Sequence, residues 1–524
     1  MAVRTANRRC ASSRAGHGGV ADGPVVPMKP GNAGGGKGPW FKANAAKQRG
    51  TGDWATLQLQ AVFRSCRARC KAEAKVESGY RFYRLYDKVY RADVLAHAYH
   101  CCRANKGAAG VDGQRFEDIE AYGVDRWLGE LASRLRSRTY EPGAVKRVWI
   151  PKPNSEKLRP LGIPTITDRV VQTAALLVLE PMFESDLATE QYAYRKDRGA
   201  HDAVQAVHGL LNRGYTQVVD ADLSGYFDSI PHAELMLSVA RRVVDRHILS
   251  LIKAWLVAPV ENDDGQAGKT RSLANRDNKR GTPQGAPISP LLSNLYMRRF
   301  ILGWKRLGCE QRWAAKIVNY ADDFVICCKQ GARNAEEALE ATRKIMGRLK
   351  LTVNEEKTHL CRIPQERFDF LGYTFGRCWS QRDGRAFIGT RPSRKSIKRM
   401  VDNISEVTDR RGTGQLDAAE VVGQLNRKLT GWANYFCLGP VSTAYRAVDA
   451  HAQERLRRWL CKKHQTAGRG TLRFSTQVLY GECAGNWGWL DWQAAHTTCR
   501  GRKHEVLSES RMRENRLSGS MRGM

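Results

Sequence analysis

The period of the apolar positions changes several times along the chain, and each change marks an element. In residues 316–328, two β-rich apolar runs, Ile317-Val318 and Phe324-Val325-Ile326, flank the polar centre Tyr320-Ala321-Asp322-Asp323. This pattern predicts a hairpin with both carboxylates at its turn. Residues 218–223 read as a second strand, in which Asp220 and Asp222 stand two apart and so share one face. Residues 145–153 and 157–164 read as two strands joined by a polar turn. Residues 168–180 are apolar enough for a buried helix, and 335–349 have helical spacing, after which 351–358 are expected to return to the sheet. Residues 261–279 are polar with no apolar period and read as a surface loop.

Past residue 391 the pattern turns wholly helical, with candidate helices over 393–407, 418–435 and 442–464. In the third, Tyr445, Val448, Ala452, Leu456 and Trp459 form one apolar stripe, while Arg455, Arg458, Lys462 and Lys463 lie mostly off it. That describes a bundle with a basic face suited to RNA. Residues 80–90 interleave Tyr and Phe with Arg81, Arg84 and Lys88, as an amphipathic helix does; the three cations are further candidates for nucleic-acid contact.

Composition sharpens this picture. The 524 residues carry 86 Lys and Arg against 53 Asp and Glu, a net charge of +33. Residues 1–75 contribute 14 basic and 3 acidic side chains, and residues 391–524 contribute 24 and 12. A protein with two strongly basic ends binds polyanions, and its affinity falls with salt. The first 50 residues, rich in Gly, Ala, Arg and Lys, are expected to be disordered or to fold on RNA. No apolar run reaches membrane-spanning length and the basic N-terminus lacks a signal-peptide core, so a cytoplasmic protein without membrane contact is expected. The 14 cysteines are scattered with no Cys-x-x-Cys pair; they read as reduced, buried thiols, with Cys461-Lys-Lys-His464 as the nearest approach to zinc-ligand spacing.

The acidic strands carry the chemistry. Buried strands do not tolerate clustered carboxylates unless something offsets their desolvation, and a divalent cation is the usual compensation. Three carboxylates from two neighbouring strands can hold two Mg²⁺ ions, which activate a hydroxyl and stabilise a leaving pyrophosphate. Solvated acids in a polar turn are the plainer alternative for Asp322 and Asp323 taken by themselves. Residues 280–290, Arg-Gly-Thr-Pro-Gln-Gly-Ala-Pro-Ile-Ser-Pro, add a tight loop where backbone can approach a bulky ligand, with Ser289 as helix cap and Pro290 as first helical residue.

Together these segments resemble the reverse transcriptase palm. Tyr320-Ala-Asp-Asp323 matches that family's tyrosine-X-Asp-Asp box, and Asp222-Leu-Ser-Gly-Tyr-Phe227-Asp228 its first acidic motif. The match selects Asp222 over Asp220 as metal ligand beside Asp322 and Asp323, and makes Phe227 the steric gate against ribose. It leaves the role of Asp220 undefined. The resemblance further implies that Lys152 and Arg159, on the fingers hairpin, meet the incoming deoxynucleoside triphosphate, and that Gln284 and Gly285 position nucleotide and template. Lys357 matches the family's lysine near the leaving pyrophosphate, where it can serve as general acid; an ordinary exposed lysine is the alternative. Residues 425–436, Leu-Asn-Arg-Lys-Leu-Thr-Gly-Trp-Ala-Asn-Tyr-Phe, resemble the maturase domain of group II intron-encoded proteins.

The implied fold is α+β: a right-hand polymerase with fingers, an antiparallel palm sheet, an α-helical thumb/maturase domain and a disordered basic N-terminus. Expected boundaries are a tail over 1–56, fingers over 57–200, palm over 201–380, thumb over 381–480 and a basic, tryptophan-rich DNA-binding appendage over 481–524. The paired cysteines and histidines of the endonuclease found in many group II proteins are not evident there, so no endonuclease is expected. The implied partners are intron RNA, a DNA target or primer and deoxynucleoside triphosphates. The competing readings are a splicing-only RNA-binding maturase and a reverse transcriptase of a defence or other retroelement system.

Overall fold

A computed structural model describes residues 72–479, apart from 75, 78, 152–157, 264–268, 330, 332, 381–382, 467 and 469. The expectations for the basic N-terminal tail, for Lys152 and for residues 481–524 therefore lie outside the described residues.

Eleven strands are described: β1 (Val145–Pro151), β2 (Leu158–Ile163), β3 (Gln217–Asp222), β4 (Val260–Asp263), β5 (Lys269–Ser272), β6 (Ala315–Tyr320), β7 (Asp323–Cys328), β8 (His359–Arg362), β9 (Phe368–Phe370), β10 (Tyr373–Trp379) and β11 (Ala386–Pro392). They form three sheets, ordered β2-β1-β4-β5, β6-β7-β3-β8 and β11-β10-β9. The fold is α+β, with the second sheet as palm, the first as fingers, and a helical region after β11.

The palm sheet is antiparallel throughout. Side chains alternate across it, and each face enters a different core. Val219 and Ala221 of β3, Phe324, Ile326 and Cys328 of β7 and Ala315 and Ile317 of β6 join one cluster, with residues of the helices Ser289–Arg306 and Asn334–Arg348. Val218, Val318, Val325 and Cys327 face the other way, into a cluster with the helix Ala200–Asn212 and the helices after β11.

Those helices are Arg394–Val407, Ala418–Tyr435 and Ser442–Lys463, close to the expected spans. Ser393 caps the first by accepting from the Ser396 amide at 3.1 Å. All five stripe residues of the third are buried. Trp432, Phe436, Tyr373 and Tyr445 are fully buried together, and the tyrosine hydroxyls of Tyr435 and Tyr445 donate to the carbonyls of Leu371 and Ala433. The β9–β11 sheet and the maturase-like segment thus share one core.

Some expectations shift. Residues 80–90 are not one helix: Phe82 is extended, bridging to Val243, and only Tyr86–Val89 is helical. Residues 261–279 include β4 and β5, which extend the fingers sheet by a hairpin. Apart from Val260 their side chains are polar, but ladder bonds are made by the backbone and need no apolar period. The return to the palm sheet as a strand comes at β8, after 351–358, which form no strand but pass the end of β3 through an isolated bridge, Leu223 to Val353, and hydrogen bonds to Asp222. Ser289 begins the helix rather than capping it; Ile288 is the cap, and Pro290 still falls in the first turn.

The long fingers helix Ile166–Glu184 is a core element, and it buries Asp168 as well as its apolar residues. The Asp168 carboxylate accepts from Tyr140 Oη at 2.6 Å, Thr165 Oγ1 at 2.8 Å and the Gly143 amide at 3.1 Å. Three donors satisfy the buried acid, which fastens the segment before β1 to the helix.

Candidate active site

The site starts from register. Asp222, last residue of β3, lies opposite Asp323, first residue of β7, and Asp323 also lies opposite Tyr320 at the end of β6. The hairpin turn between them is the two residues Ala321 and Asp322. Ala321 is buried and left-handed, with φ 59°. That conformation disfavours a non-glycine residue by about 1–3 kcal/mol, so the surroundings must hold it. Asn319, 1% exposed on β6, does so: its Nδ2 donates to the Ala321 carbonyl at 2.9 Å. The Asn319 backbone in turn bonds Glu190 and Tyr192, which pins the preceding loop beside the turn.

Carboxylate oxygens of Asp222, Asp322 and Asp323 lie within 4.8 Å of one another, and each residue is partly accessible. Like charges so close repel, and cations compensate. The Lys357 ammonium donates to Asp222 Oδ2 at 2.6 Å, and Asn354 donates to the same oxygen at 3.3 Å while its backbone amide bonds the Asp222 carbonyl. An all-oxygen, all-carboxylate donor set of this size fits hard divalent cations such as Mg²⁺. Among the described residues these three aspartates are the group close enough to hold an ion; Cys461 is a buried free thiol.

Asp220 shares the face of Asp222 but is set deeper. Burial, then the charges of Asp369 and Asp222, push its carboxyl up to about 7, with Lys395 acting the other way. Tyr194, left-handed at φ 56°, is half-buried within electrostatic reach of Asp322 and Asp323; desolvation, then Asp322, holds its hydroxyl protonated far above the usual range, and Arg159 opposes that shift. Arg159 on β2 is thus within electrostatic range of Tyr194.

Phe227 lies on a short turn of helix, Tyr226–Ser229, entered through left-handed Gly225. Its ring packs edge-on to Tyr226 at 5.6 Å, and Tyr226 Oη is anchored on the Ser293 carbonyl at 2.6 Å. The loop holding Gln284 and Gly285 runs alongside: the Thr282 amide donates to the Phe227 carbonyl at 2.8 Å. Gly285 has φ 111°, and a Cβ there would stand 2.4 Å from the Gly162 carbonyl of β2. Only glycine lets this loop lie against the fingers strand.

The RNA-contact candidates divide. On the helix Ser442–Lys463, Arg455 is turned inward, donating to Thr408 Oγ1 at 3.0 Å and the Ser405 carbonyl at 2.9 Å. Lys463 donates to the Leu416 carbonyl at 2.6 Å and sits over the Trp459 ring. Arg458 and Lys462 face outward and line a cavity of about 730 Å³ with Glu454 and Thr466. Arg81 and Arg84 are exposed; the Lys88 ammonium folds onto the Arg84 carbonyl and Asp87.

Residues 150–375 match the family described as reverse transcriptase (RNA-dependent DNA polymerase), and residues 397–474 match the group II intron, maturase-specific domain. The chain is also 33% identical over 358 residues to Protein YkfC of Escherichia coli, an alignment covering 62% of this chain and 91% of that protein. The chain belongs to the group II intron reverse transcriptase/maturase family. Group II intron-encoded protein LtrA of Lactococcus lactis is 28% identical over 351 residues, 56% of each chain, so this chain spans about half of that relative. The putative COX1/OXI3 intron 1 protein of Saccharomyces cerevisiae is 24% identical over 328 residues, 54% of this chain and 38% of the relative.

The reverse transcriptase match runs from β1 into β10 and contains the whole acidic cluster; the maturase match covers the helical bundle. Reverse transcriptases typically use divalent metal, which agrees with the triad. The supporting residues Asn319, Asn354 and Tyr194 carry no motif of their own in the sequence. A signal existed for Asn319: one amide inside the apolar run Ile317-Val318-Asn319-Tyr320 has to be satisfied by something. No helix of the described residues is long and apolar enough to cross a membrane.

Proposed function

We propose that this reverse transcriptase copies its own intron RNA into DNA from a primer at a DNA target, and that the same protein binds the intron and assists its splicing. The observation that supports this most is an intact carboxylate triad in a chain that also carries the maturase bundle, on one continuous core. A splicing-only RNA binder has no use for three clustered carboxylates beside a polyanion. A defence reverse transcriptase has no evident need of the maturase domain.

In this reading Asp222, Asp322 and Asp323 hold two Mg²⁺ ions, which when bound activate the primer 3′-hydroxyl and stabilise the pyrophosphate. Phe227, fixed by Tyr226 and the Thr282 bond, fills the space a ribose 2′-hydroxyl needs. Arg159, with Lys152, meets the triphosphate; Arg is suited to bidentate phosphate contact. Gln284 and Gly285 position nucleotide and template. Lys357, already paired with Asp222, is placed to give a proton to the departing pyrophosphate. Arg81, Arg84, Lys88, Arg458 and Lys462 offer cations to intron RNA, while Arg455 and Lys463 shape the bundle that presents them. The protein acts in the bacterial cytoplasm on nucleic acid.

Primer extension on an RNA template, with Mg²⁺ and with chelator, run beside splicing of the flanking intron, tests this. Mg²⁺-dependent cDNA synthesis together with accelerated splicing is expected. Splicing assistance without any cDNA synthesis would instead establish the splicing-only reading.

A further inference from the structure

Asp228 follows the sugar gate and belongs to none of the roles above. Its carboxylate Oδ2 accepts from the Gln284 carboxamide Nε2 at 3.3 Å. The loop that carries Gln284 is tied at several further points to the short helix and to the residues that follow it. The amides of Thr282 and Gly281 donate to the carbonyls of Phe227 and Ile230, and His232 Nε2 bonds the Gly281 carbonyl at 2.8 Å. A Cβ on Gly281, at φ 97°, would press on the Asp228 carbonyl at 3.3 Å. On its other side the loop is bonded to the fingers, through the Gly162 amide donating to the Gln284 carbonyl at 2.6 Å. Partial desolvation raises the Asp228 carboxyl, although the residue keeps solvent access, and Arg147, on the neighbouring strand β1, opposes that shift.

The backbone of Gln284 is therefore held from two sides, but its side chain, half-exposed, still has three rotatable bonds to be ordered. Its polar end needs a partner. Asp228 is the partner present, and it projects from the same turn as the gate. We propose that Asp228 is a positioning residue of the polymerase: it fixes the Gln284 carboxamide, so that sugar exclusion by Phe227 and nucleotide placement by Gln284 are set by one rigid unit. The ligand served is the incoming deoxynucleoside triphosphate. This rests on the reading of Gln284 as a nucleotide contact.

Pre-organisation of a binding side chain acts on substrate affinity more than on the chemical step. The test is single-nucleotide incorporation on an RNA template, measuring kcat and KM for a dNTP and for the matching rNTP. Asp228→Ala is expected to raise the dNTP KM about three- to tenfold, the range for losing one ordinary hydrogen bond at an accessible site, with kcat within about twofold. Gln284→Met, which keeps length and removes the donor, should do the same and no less. The double variant should be no worse than Gln284→Met alone, because both remove one interaction. Asp228→Asn, whose carbonyl oxygen still accepts, should restore most of the wild-type KM. Additive effects in the double variant, an Asp228→Asn no better than Asp228→Ala, or a loss confined to kcat would overturn the proposal. If Asp228→Ala fails to fold by thermal melting, the comparison of Asp228→Asn with Gln284→Met decides: an Asp228→Asn as impaired as Gln284→Met refutes positioning by hydrogen bond. A silent Gln284→Met sinks the reading of Gln284 itself, whereas an impaired Gln284→Met beside a silent Asp228→Ala sinks only the role of Asp228.

Discussion

The two faces of the palm sheet are built from the same strands and do opposite things. One face, with Val219, Ala221, Phe324 and Ile326, is mostly apolar, with buried Asn319 bonded to the Ala321 carbonyl, and is sealed by helices. The other starts apolar, at Val218, Val325 and Cys327, and ends in Asp220, Asp222 and Asp323. Period-two alternation lets each strand serve both. The sealed face supplies rigidity; the acidic end takes repulsion that would be tolerated nowhere else in the sheet. Chemistry sits where strand ends meet a turn, because there carboxylates converge while the rest of the strand stays anchored.

The sharpest way to separate the faces is at Asp222. Asp222→Asn removes one carboxylate ligand and should lower cDNA synthesis by at least about a thousandfold, since metal-assisted stabilisation contributes several kcal/mol and each ~1.4 kcal/mol is tenfold in rate. The melting temperature should change little, because the like-charge cluster loses one member while Lys357 loses the charge of its partner. Rate assays with melting curves on the same preparation check both halves, and an active Asp222→Asn would break the assignment.

On the sealed face the expectation inverts. Ile326 is fully buried, so Ile326→Ala should cost about 2–4 kcal/mol of stability, seen as a lower denaturation midpoint. The rate per folded molecule should stay within about twofold. A catalytic loss at unchanged stability would mean that the faces are not independent.

Sugar choice should respond less steeply. Phe227→Ala opens space beside the nucleotide and should move the ribo-to-deoxy preference at least about tenfold toward ribonucleotides, equivalent to ~1.4 kcal/mol of lost exclusion. An unchanged ratio in competition assays would remove Phe227 from the gate.

The smallest effect belongs to Asp220, acidic but deeper than the triad. Its carboxyl is raised to about 7 in the fold, above the ordinary value of an unfolded Asp. Ionising it therefore works against folding: the penalty grows as pH climbs from about 4 to about 7 and is constant above. Asp220→Asn should raise the melting temperature more at pH 8 than at pH 5 while leaving incorporation nearly unchanged. A melting temperature that falls at pH 8 would show that the charged form is stabilised instead.

Much of this was legible in the sequence because the signals are local. Adjacent Asp322 and Asp323 between apolar runs, or the stripe from Tyr445 to Trp459, need only neighbours to be read. What escaped depends on distant partners. Asn354 meets Asp222 from 132 residues away, and Asp168 meets Tyr140 from 28. Strands β4 and β5 are held by backbone bonds, so their polar side chains gave no period. Arg455 and Arg458 look alike off the stripe, yet the reach of Arg455 to the Ser405 carbonyl, 50 residues distant, depends on how two helices pack.

The central claim is that the acidic end carries polymerisation while the rest of the molecule carries RNA binding. The most direct measurement is a paired assay of Asp322→Asn, Asp323→Asn in one protein: primer extension and intron splicing on the same folded preparation. Both changes nearly conserve shape and remove negative charge beside a polyanion, so RNA attraction should not weaken. The account expects cDNA synthesis to fall by at least about a thousandfold with splicing assistance retained. Loss of both activities in a folded double variant would contradict it, and would mean that the carboxylates also support the RNA-bound state.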